Sequence, residues 1–536
     1  MKRKLICRTL TVLLPFLLVI CLLPATALAA DTATVQINGK TLQNGVSVPC
    51  GEGTAVLDEE SGTLTLNNAT INQEGTTPVL RVNNGELKVI LIGENTITST
   101  SMKPFYCSGV DLTIQGTEKD SLTIKTESDG LQIDNGNLTI DGCKIDITSS
   151  SYGGMLCFGN YSTGEFGILT IQNGANISID SFENTLLGEH ELSITGSTVN
   201  ATARSNYQDW STTAVSSYGN ISITDSAVTA TANGDEANAI YGGGTISINN
   251  SEVEATTTVQ SNVYPALCAA GNIEIINHSA ATVKSAGTIG IWSSGGEVVI
   301  QDSIAYAAAH DEWEAIRGDN GGVTISDSWV ETFGSMVSPL FAHSDSVIFL
   351  NNEGEANGSL VLPGNITVSE DMQLSVPENS SVTVPEGVTF TNHGQIELHG
   401  DLINNGGNIV CNSHSGGTAT CTVKALCGVC GAEYGDFLPH ELTETEAKEA
   451  TCSEEGYTGD KVCAVCGETL ERGEVIPKLA HDYRDGKCTV CGAADPDYSE
   501  SPQTGDYGNI LPWIALLFAA GGFLGTMYFR KRAFRG

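Results

Sequence analysis

Three copies of one cysteine phrase hold the clearest chemistry in the chain: Cys427-Gly428-Val429-Cys430-Gly431, Cys463-Ala464-Val465-Cys466-Gly467 and Cys488-Thr489-Val490-Cys491-Gly492. Two thiolates two residues apart, followed by glycine, form a knuckle whose turn lets backbone N–H groups approach the sulfurs, as tetrahedral zinc requires. Further ligands stand nearby: Cys421 with His440 or His414, and Cys452 with His481 or His440. Two Cys3His sets follow, Cys421, Cys427, Cys430, His440 and Cys452, Cys463, Cys466, His481. Cys488 and Cys491 are left with at most one histidine, as a truncated or disulfide-closed unit. A frame in which histidine leads each unit fits the spacing as well. Disulfides are the rival chemistry, being the default of a secreted chain, whereas repeated knuckles favour metal. Either way the segment has few large apolar side chains and needs such staples to fold, so the role expected is structural. A thioredoxin-like redox centre would need a βαβ context, which is missing.

Elsewhere the candidates are fewer. A calcium-assisted polysaccharide lyase needs clustered carboxylates and a nearby base. Arg317, beside Asp311, Glu312, Glu314 and Asp319, is the strongest location for that reading. A surface ion-pair cluster is the plainer explanation, since structural charge networks outnumber catalytic ones. No nucleophile elbow with triad partners can be argued, so the chain reads as non-catalytic. Tyr106, Tyr241, Trp292 and Phe341, with Arg317 among them, fall at one recurring position and could present a row of rings to the C–H faces of sugars. The rival reading has the flanking loops folding over and burying them.

The element that must position these residues is a repeated strand. Gly-x-hydrophobic-x-hydrophobic recurs as Gly62-Thr63-Leu64-Thr65-Leu66, Gly219-Asn220-Ile221-Ser222-Ile223, Gly244-Thr245-Ile246-Ser247-Ile248 and Gly296-Glu297-Val298-Val299-Ile300. Each reads as a short strand with one buried face, bounded by Gly, Asn and Asp turns. A period of about 25 residues fits a three-sided parallel β-helix, with strands stacking about 4.8 Å apart. A second strand supplies an inward anchor, Val79, Phe105, Leu131, Met155, Leu186, Val215, Ile240, Leu267, Ile291, Ile316 and Leu340. The next residue in each case points outward, because side chains alternate along a strand. That series is Leu80, Tyr106, Gln132, Leu156, Leu187, Ser216, Tyr241, Cys268, Trp292, Arg317 and Phe341. Segment 31–60 is expected to cap the first coil, 61–359 to form the β-helix, and 360–410 to continue the rod as a narrower β-solenoid cap.

Composition supports this and limits the partners. In 536 residues, Lys+Arg is 25 and Asp+Glu 63, a net charge of −38, and eight of the 25 basic residues crowd at the two ends: Lys2, Arg3, Lys4, Arg8 and Arg530, Lys531, Arg532, Arg535. Such a surface excludes nucleic acid and anionic lipid as primary partners. The first 30 residues read as a signal peptide: a basic start, the apolar stretch from Leu10 to Leu23, and an Ala27-Leu28-Ala29-Ala30 exit. Residues 510–529 are long and apolar enough for one transmembrane helix. Arg530-Lys531-Arg532 after it places the C-terminus in the cytoplasm.

Just before that segment stands Ser501-Pro502-Gln503-Thr504-Gly505, followed by Asp506. With the apolar helix and basic tail, it resembles the sorting signal of sortase substrates in Gram-positive bacteria, and its Ser and Asp resemble the class B-type variant. That resemblance implies cleavage between Thr504 and Gly505 and attachment to peptidoglycan. Segment 31–410 resembles the repetitive β-helix surface proteins of Clostridia and, more distantly, right-handed β-helices of the pectate-lyase superfamily. The phrases that carry the likeness are Leu64-Thr65-Leu66-Asn67-Asn68-Ala69-Thr70-Ile71 and Leu91-Ile92-Gly93-Glu94-Asn95-Thr96-Ile97. Segment 411–494 resembles zinc-ribbon-like repeats of such proteins, and 495–500 is a short linker before the sorting signal at 501–536. The chain is therefore expected to be all-β: a right-handed parallel β-helix, small Cys-rich modules and a C-terminal transmembrane helix. Its expected partners are sortase, peptidoglycan and a polysaccharide or another host or bacterial surface. It should stand as a monomer on the wall, with structural zinc as cofactor. A calcium-dependent lyase and a passive stalk are the alternatives.

Overall fold

The computed structural model describes residues 33–160, 165–204, 212–260, 263–310, 313–337, 341–412, 414 and 416–499. The signal-peptide, sorting-motif and membrane-segment expectations, together with Asp311, Glu312 and Leu340, lie outside the described residues. Among those described, no helix is long and apolar enough to cross a membrane. All elements among the described residues are strands, and those up to Cys411 wind into a β-solenoid of about 13 turns.

Each coil of the larger solenoid contributes three strands. The first stack runs in parallel register Leu80, Phe105, Leu131, Met155, Leu186, Val215, Ile240, Leu267, Ile291, Ile316, Met336. From Phe105 to Ile316 this is the inward series expected from the sequence, and all nine side chains are buried. At both ends the register differs: Leu80, not Val79, pairs with Phe105, and Met336, not Leu340, follows Ile316 after a bulge. The Gly-x-hydrophobic-x-hydrophobic strands form the second stack, as in Ile221, Ile246, Ile273, Val298, Val323. Coil length varies (24 residues from Leu131 to Met155, 31 from Met155 to Leu186) without disturbing either ladder. The variation is confined to the corners, as the rod's ladder hydrogen bonds require.

The corner between the second and third stacks shows why the repeat closes. Asp225, Asn250, Asn277, Asp302 and Asp327 hold positive φ of 46–57°, a conformation that short polar side chains tolerate best. A serine follows directly at four of these corners and after His278 at the fifth, and these serines form a buried column. The Ser226 N–H donates to Ser251 Oγ (3.1 Å), Ser251 to Ser279 (3.2 Å), Ser279 to Ser303 (3.2 Å) and Ser303 to Ser328 (3.1 Å). Each corner thus satisfies a backbone donor that would otherwise be buried without a partner. Ser346 ends the column, and its buried Oγ has no partner.

At the N-terminal end, Thr34–Ile37 runs antiparallel to the start of Leu80–Ile92, and Gly53–Asp58 antiparallel to Thr63–Asn67. At the other end the chain changes direction before the narrower coils begin. Ser346–Leu350 stacks in parallel on Trp329–Phe333, but the next strand, Glu353–Asn357, pairs with it antiparallel. Val330 and its neighbour Ile348 face the large core, whereas Trp329 and its neighbour Val347 belong to a second core. Because neighbours along a strand point to opposite faces, the two cores lie on opposite sides of one shared sheet. The second core centres on Trp329, whose ring lies 5.3 Å from Phe349 and 6.3 Å from Phe390. Around it wind shorter coils, such as Ser359–Val361, Ser381–Pro385 and Asp401–Asn405 in parallel.

Residues 418–425 and 435–499 belong to a second compact unit of short antiparallel pairs, including Leu442–Glu444 with Lys461–Cys463 and Tyr483–Arg484 with Lys487–Cys488.

Candidate metal centres and a ring-lined groove

The three knuckles share one backbone. Cys427 N–H donates to Ala432 O, Cys463 to Glu468 O and Cys488 to Ala493 O, each at 2.8 Å. Gly431, Gly467 and Gly492 donate back to the first cysteine's carbonyl at 2.9–3.0 Å. Their φ values of +72°, +77° and +75° explain the glycine that ends each phrase.

Ligand grouping differs from both sets drawn from the sequence. The clusters are Cys411, His414, Cys427, Cys430; Cys421, His440, Cys463, Cys466; and Cys452, His481, Cys488, Cys491, with the four ligand atoms of each within 4.8 Å of one another. Each knuckle takes one cysteine and one histidine from the chain preceding it. Cys421 is therefore not a partner of Cys427 and Cys430, and Cys452 and His481 serve Cys488 and Cys491 instead of Cys463 and Cys466. Cys411 and His414 complete the first set, and the third is not truncated. In each set the order along the chain is cysteine, histidine, then the knuckle pair, so the histidine stands ahead of its knuckle but a cysteine leads the unit. A further sequence signal was available: Thr420-Cys421 and Thr451-Cys452 are the same phrase. Each threonine hydroxyl accepts the N–H groups two and three residues on, turning its cysteine toward the cluster.

The donor sets fit a tetrahedral metal. Cys421 and Cys463 sulfurs are 3.5 Å apart, Cys452 and Cys488 3.6 Å, against about 2.05 Å in a disulfide. Bonds of about 2.3 Å to sulfur and 2.0–2.1 Å to nitrogen give tetrahedral edges of roughly 3.8 Å (S–S) and 3.5 Å (S–N). The histidines approach through Nδ1: 3.5 Å from His414 to Cys430, 3.5 Å from His440 to Cys466, and 3.3 Å from His481 to Cys491. No disulfide joins any two cysteines among the described residues. Knuckle N–H groups, Cys466 foremost, pull the Cys463 thiol down to about 6, and those of Cys491 and Val490 pull Cys488 down to about 5. Within the same two clusters, burial and the neighbouring sulfurs push Cys421 up to about 12 and Cys452 up to about 11. In the rod, burial pushes Cys143, Cys157 and Cys268 up to about 12, as befits small apolar core residues.

The outward row of rings does not form one platform. Tyr106 donates to Asp134 Oδ2 at 2.7 Å, with Lys103 and Arg81 over its ring at 5.3 and 5.9 Å. Trp292 Nε1–H donates to Asp319 Oδ2 at 3.0 Å, and Arg317 lies 5.8 Å from its ring centroid. Arg317 is held by Asp319 at 2.6 Å and Glu314 at 3.7 Å, and the Asp319 hydrogen bond leads in raising its guanidinium pKa. It is an ion-pair partner here. Tyr241 is half-buried, and Gln132, Leu156, Leu187, Ser216 and Cys268 are buried between the rings. Phe341 belongs elsewhere: it pairs with Val323, in the second stack, not with Arg317.

That position exposes Phe341. It and His343 continue the core rows of Val323 and Ile325 beyond the last full coil, so their rings stand at the open end of the large core. Phe341 is 44% exposed and stacks on His343 with centroids 5.2 Å apart. Beside them Ile348 and Leu350 pair with Glu355 and Glu353, which share their face. Asn357 Nδ2 lies 3.0 Å from His343 Nδ1, and Gln373 pairs with Glu353. Together these residues line a groove of about 810 Å³.

Comparison with protein-family models, curated proteins and solved structures found no match to the chain.

Proposed function

We propose that the chain is an exported, sortase-anchored wall protein of a Gram-positive, Clostridia-like bacterium. On this reading it uses its β-solenoid, without catalysis, to bind polysaccharide. The observation that carries the binding part is the open Phe341–His343 stack in a groove walled by Glu353, Glu355, Asn357 and Gln373. A flat ring accepts the C–H face of a sugar, while carboxylates and amides take its hydroxyls. Two carboxylates favour neutral or amino sugars over polyuronates, whose charge they repel. This preference separates the reading from a pectate-type lyase. Wall attachment rests on the Ser501–Gly505 pattern and the residues around it, with sortase and peptidoglycan as partners and Thr504 as the joined residue. The three Cys/His clusters we read as structural zinc sites, on the thiolate and imidazole donor set and its edge lengths.

A glycan array probed with the purified protein tests binding. Capture of neutral or amino-sugar glycans supports it, and silence from a folded sample would favour a passive stalk. Mass spectrometry of muropeptides from the producing cells tests anchoring. The expected product is a peptide ending at Thr504 linked to peptidoglycan; an intact C-terminus carrying residues 505–536 in the membrane fraction would refute it.

A further inference from the structure

The first cluster is unlike the other two in what it joins. Cys411 ends the strand Asn408–Cys411, the last rung of the smaller solenoid, which stacks on Thr389–Asn392 at the edge of its sheet. Three residues on stands His414, and the remaining ligands come from the first knuckle. That knuckle is built into the rod's core: Cys427 and Val429 are buried in the cluster that holds Phe390, with Ile409, Cys411, Cys430 and Tyr434 packed against it. Tyr434 donates to Gly416 O at 2.5 Å and stacks on His414 at 5.6 Å. One rung below Cys411, Asn392 is fully buried, and neither its amide nitrogen nor its amide oxygen has a partner.

We propose that this cluster is a metal clasp closing the C-terminal end of the smaller solenoid, so that zinc binding stabilises the rod's final coils as well as a small module. The proposal rests on the zinc reading above. An open solenoid end leaves a ladder edge and the end of a core unprotected. Here the knuckle covers the core while the metal ties it to the final rung. Binding releases the protons of Cys411, Cys427 and Cys430 to solvent and leaves three thiolates on the cation. A thiolate at Cys411 is an acceptor on the rung next to the unpartnered Asn392 amide, the supporting position that ligand cysteines commonly have filled. In the other two clusters all four ligands come from the second compact unit, so filling them leaves the rod's edge unchanged.

The test is hydrogen exchange of amides 389–411 in the purified full-length protein, with zinc counted by mass spectrometry. Wild type should carry three zinc ions; Cys411→Ser and His414→Ala should each carry two. At free zinc 100 times above the dissociation constant, losing the metal should lower protection of 389–411 by about 100-fold. Chelating zinc from wild type should give the same loss, reversed by adding zinc back. Cys466→Ser, which removes a ligand of the second cluster, should leave 389–411 protected. Unchanged protection in a Cys411→Ser protein holding two zinc ions would overturn the clasp and leave the zinc reading standing. A wild-type chain that takes up no zinc would overturn both.

Discussion

The sulfurs of Cys421 and Cys463 lie 3.5 Å apart across 42 residues of chain. They are too far apart for a bond and at the spacing of two vertices of a zinc tetrahedron. Between them in sequence sits the whole first knuckle, Cys427 to Cys430, which serves a different cluster. The ligands thus interleave along the chain, so a short linear window contains cysteines of two centres.

That interleaving predicts a stoichiometry. The reduced protein should bind three zinc ions, and Cys466→Ser should bind two, measured by native mass spectrometry. A chain closed by disulfides would instead bind none and lose free thiols in a labelling assay.

Knuckle geometry makes the glycine a second test. Gly467 has φ of +77° and open space around the position a Cβ would take, so an alanine there meets only backbone strain. A left-handed conformation costs an L-residue about 1–2 kcal/mol. Gly467→Ala should therefore weaken zinc at the second cluster by roughly 5–30-fold in chelator competition, with the other two unaffected.

The serine column should be worth more than its small side chains suggest. Ser251→Ala removes the acceptor of the buried Ser226 N–H at 3.1 Å and a donor to Asn249 O at 2.7 Å. Leaving such a group unpaired costs about 1–3 kcal/mol. A loss of that size should appear in urea unfolding, whereas Ser247→Ala, on the outward side of the preceding strand, should stay within about 0.5 kcal/mol.

How much of this was readable from sequence depends on what each feature requires. Strand phrase and inward anchor follow from alternation alone, which is why the register from Phe105 to Ile316 could be read residue by residue. The ends could not. A bulge between Glu314 and Ile316 and a change of stack put Phe341 in another row, and neither leaves a local signature. Cys411, counted with the Cys-rich block, ends a strand of the smaller solenoid, and its role as a ligand depends on where a knuckle 16 residues later comes to rest. Nor does periodicity report a core that changes face at Trp329.

Glu331 offers a pH test at that face change. Burial, partly offset by the Trp329 Nε1–H donor at 2.8 Å, raises its pKa above the usual carboxylate value. The folded state then binds its proton more tightly than the unfolded chain, so stability falls as pH rises from the unfolded pKa through the folded one. Glu331→Gln keeps the acceptor without the charge. It should raise the Tm at pH 7 and remove that decline. An equal effect at pH 3 and pH 7 would contradict the assignment.

The most direct measurement of the binding claim is a calorimetric titration of a glycan captured on the array, comparing Phe341→Ala with Trp292→Ala. Trp292 is already occupied by Asp319 and Arg317, while Phe341 is open. Loss of a stacked ring costs about 1–3 kcal/mol, so Phe341→Ala should weaken binding by roughly 5–150-fold and Trp292→Ala should leave it within about twofold. Unchanged affinity in Phe341→Ala, with loss in Trp292→Ala, would contradict the account and return the site to the outward row.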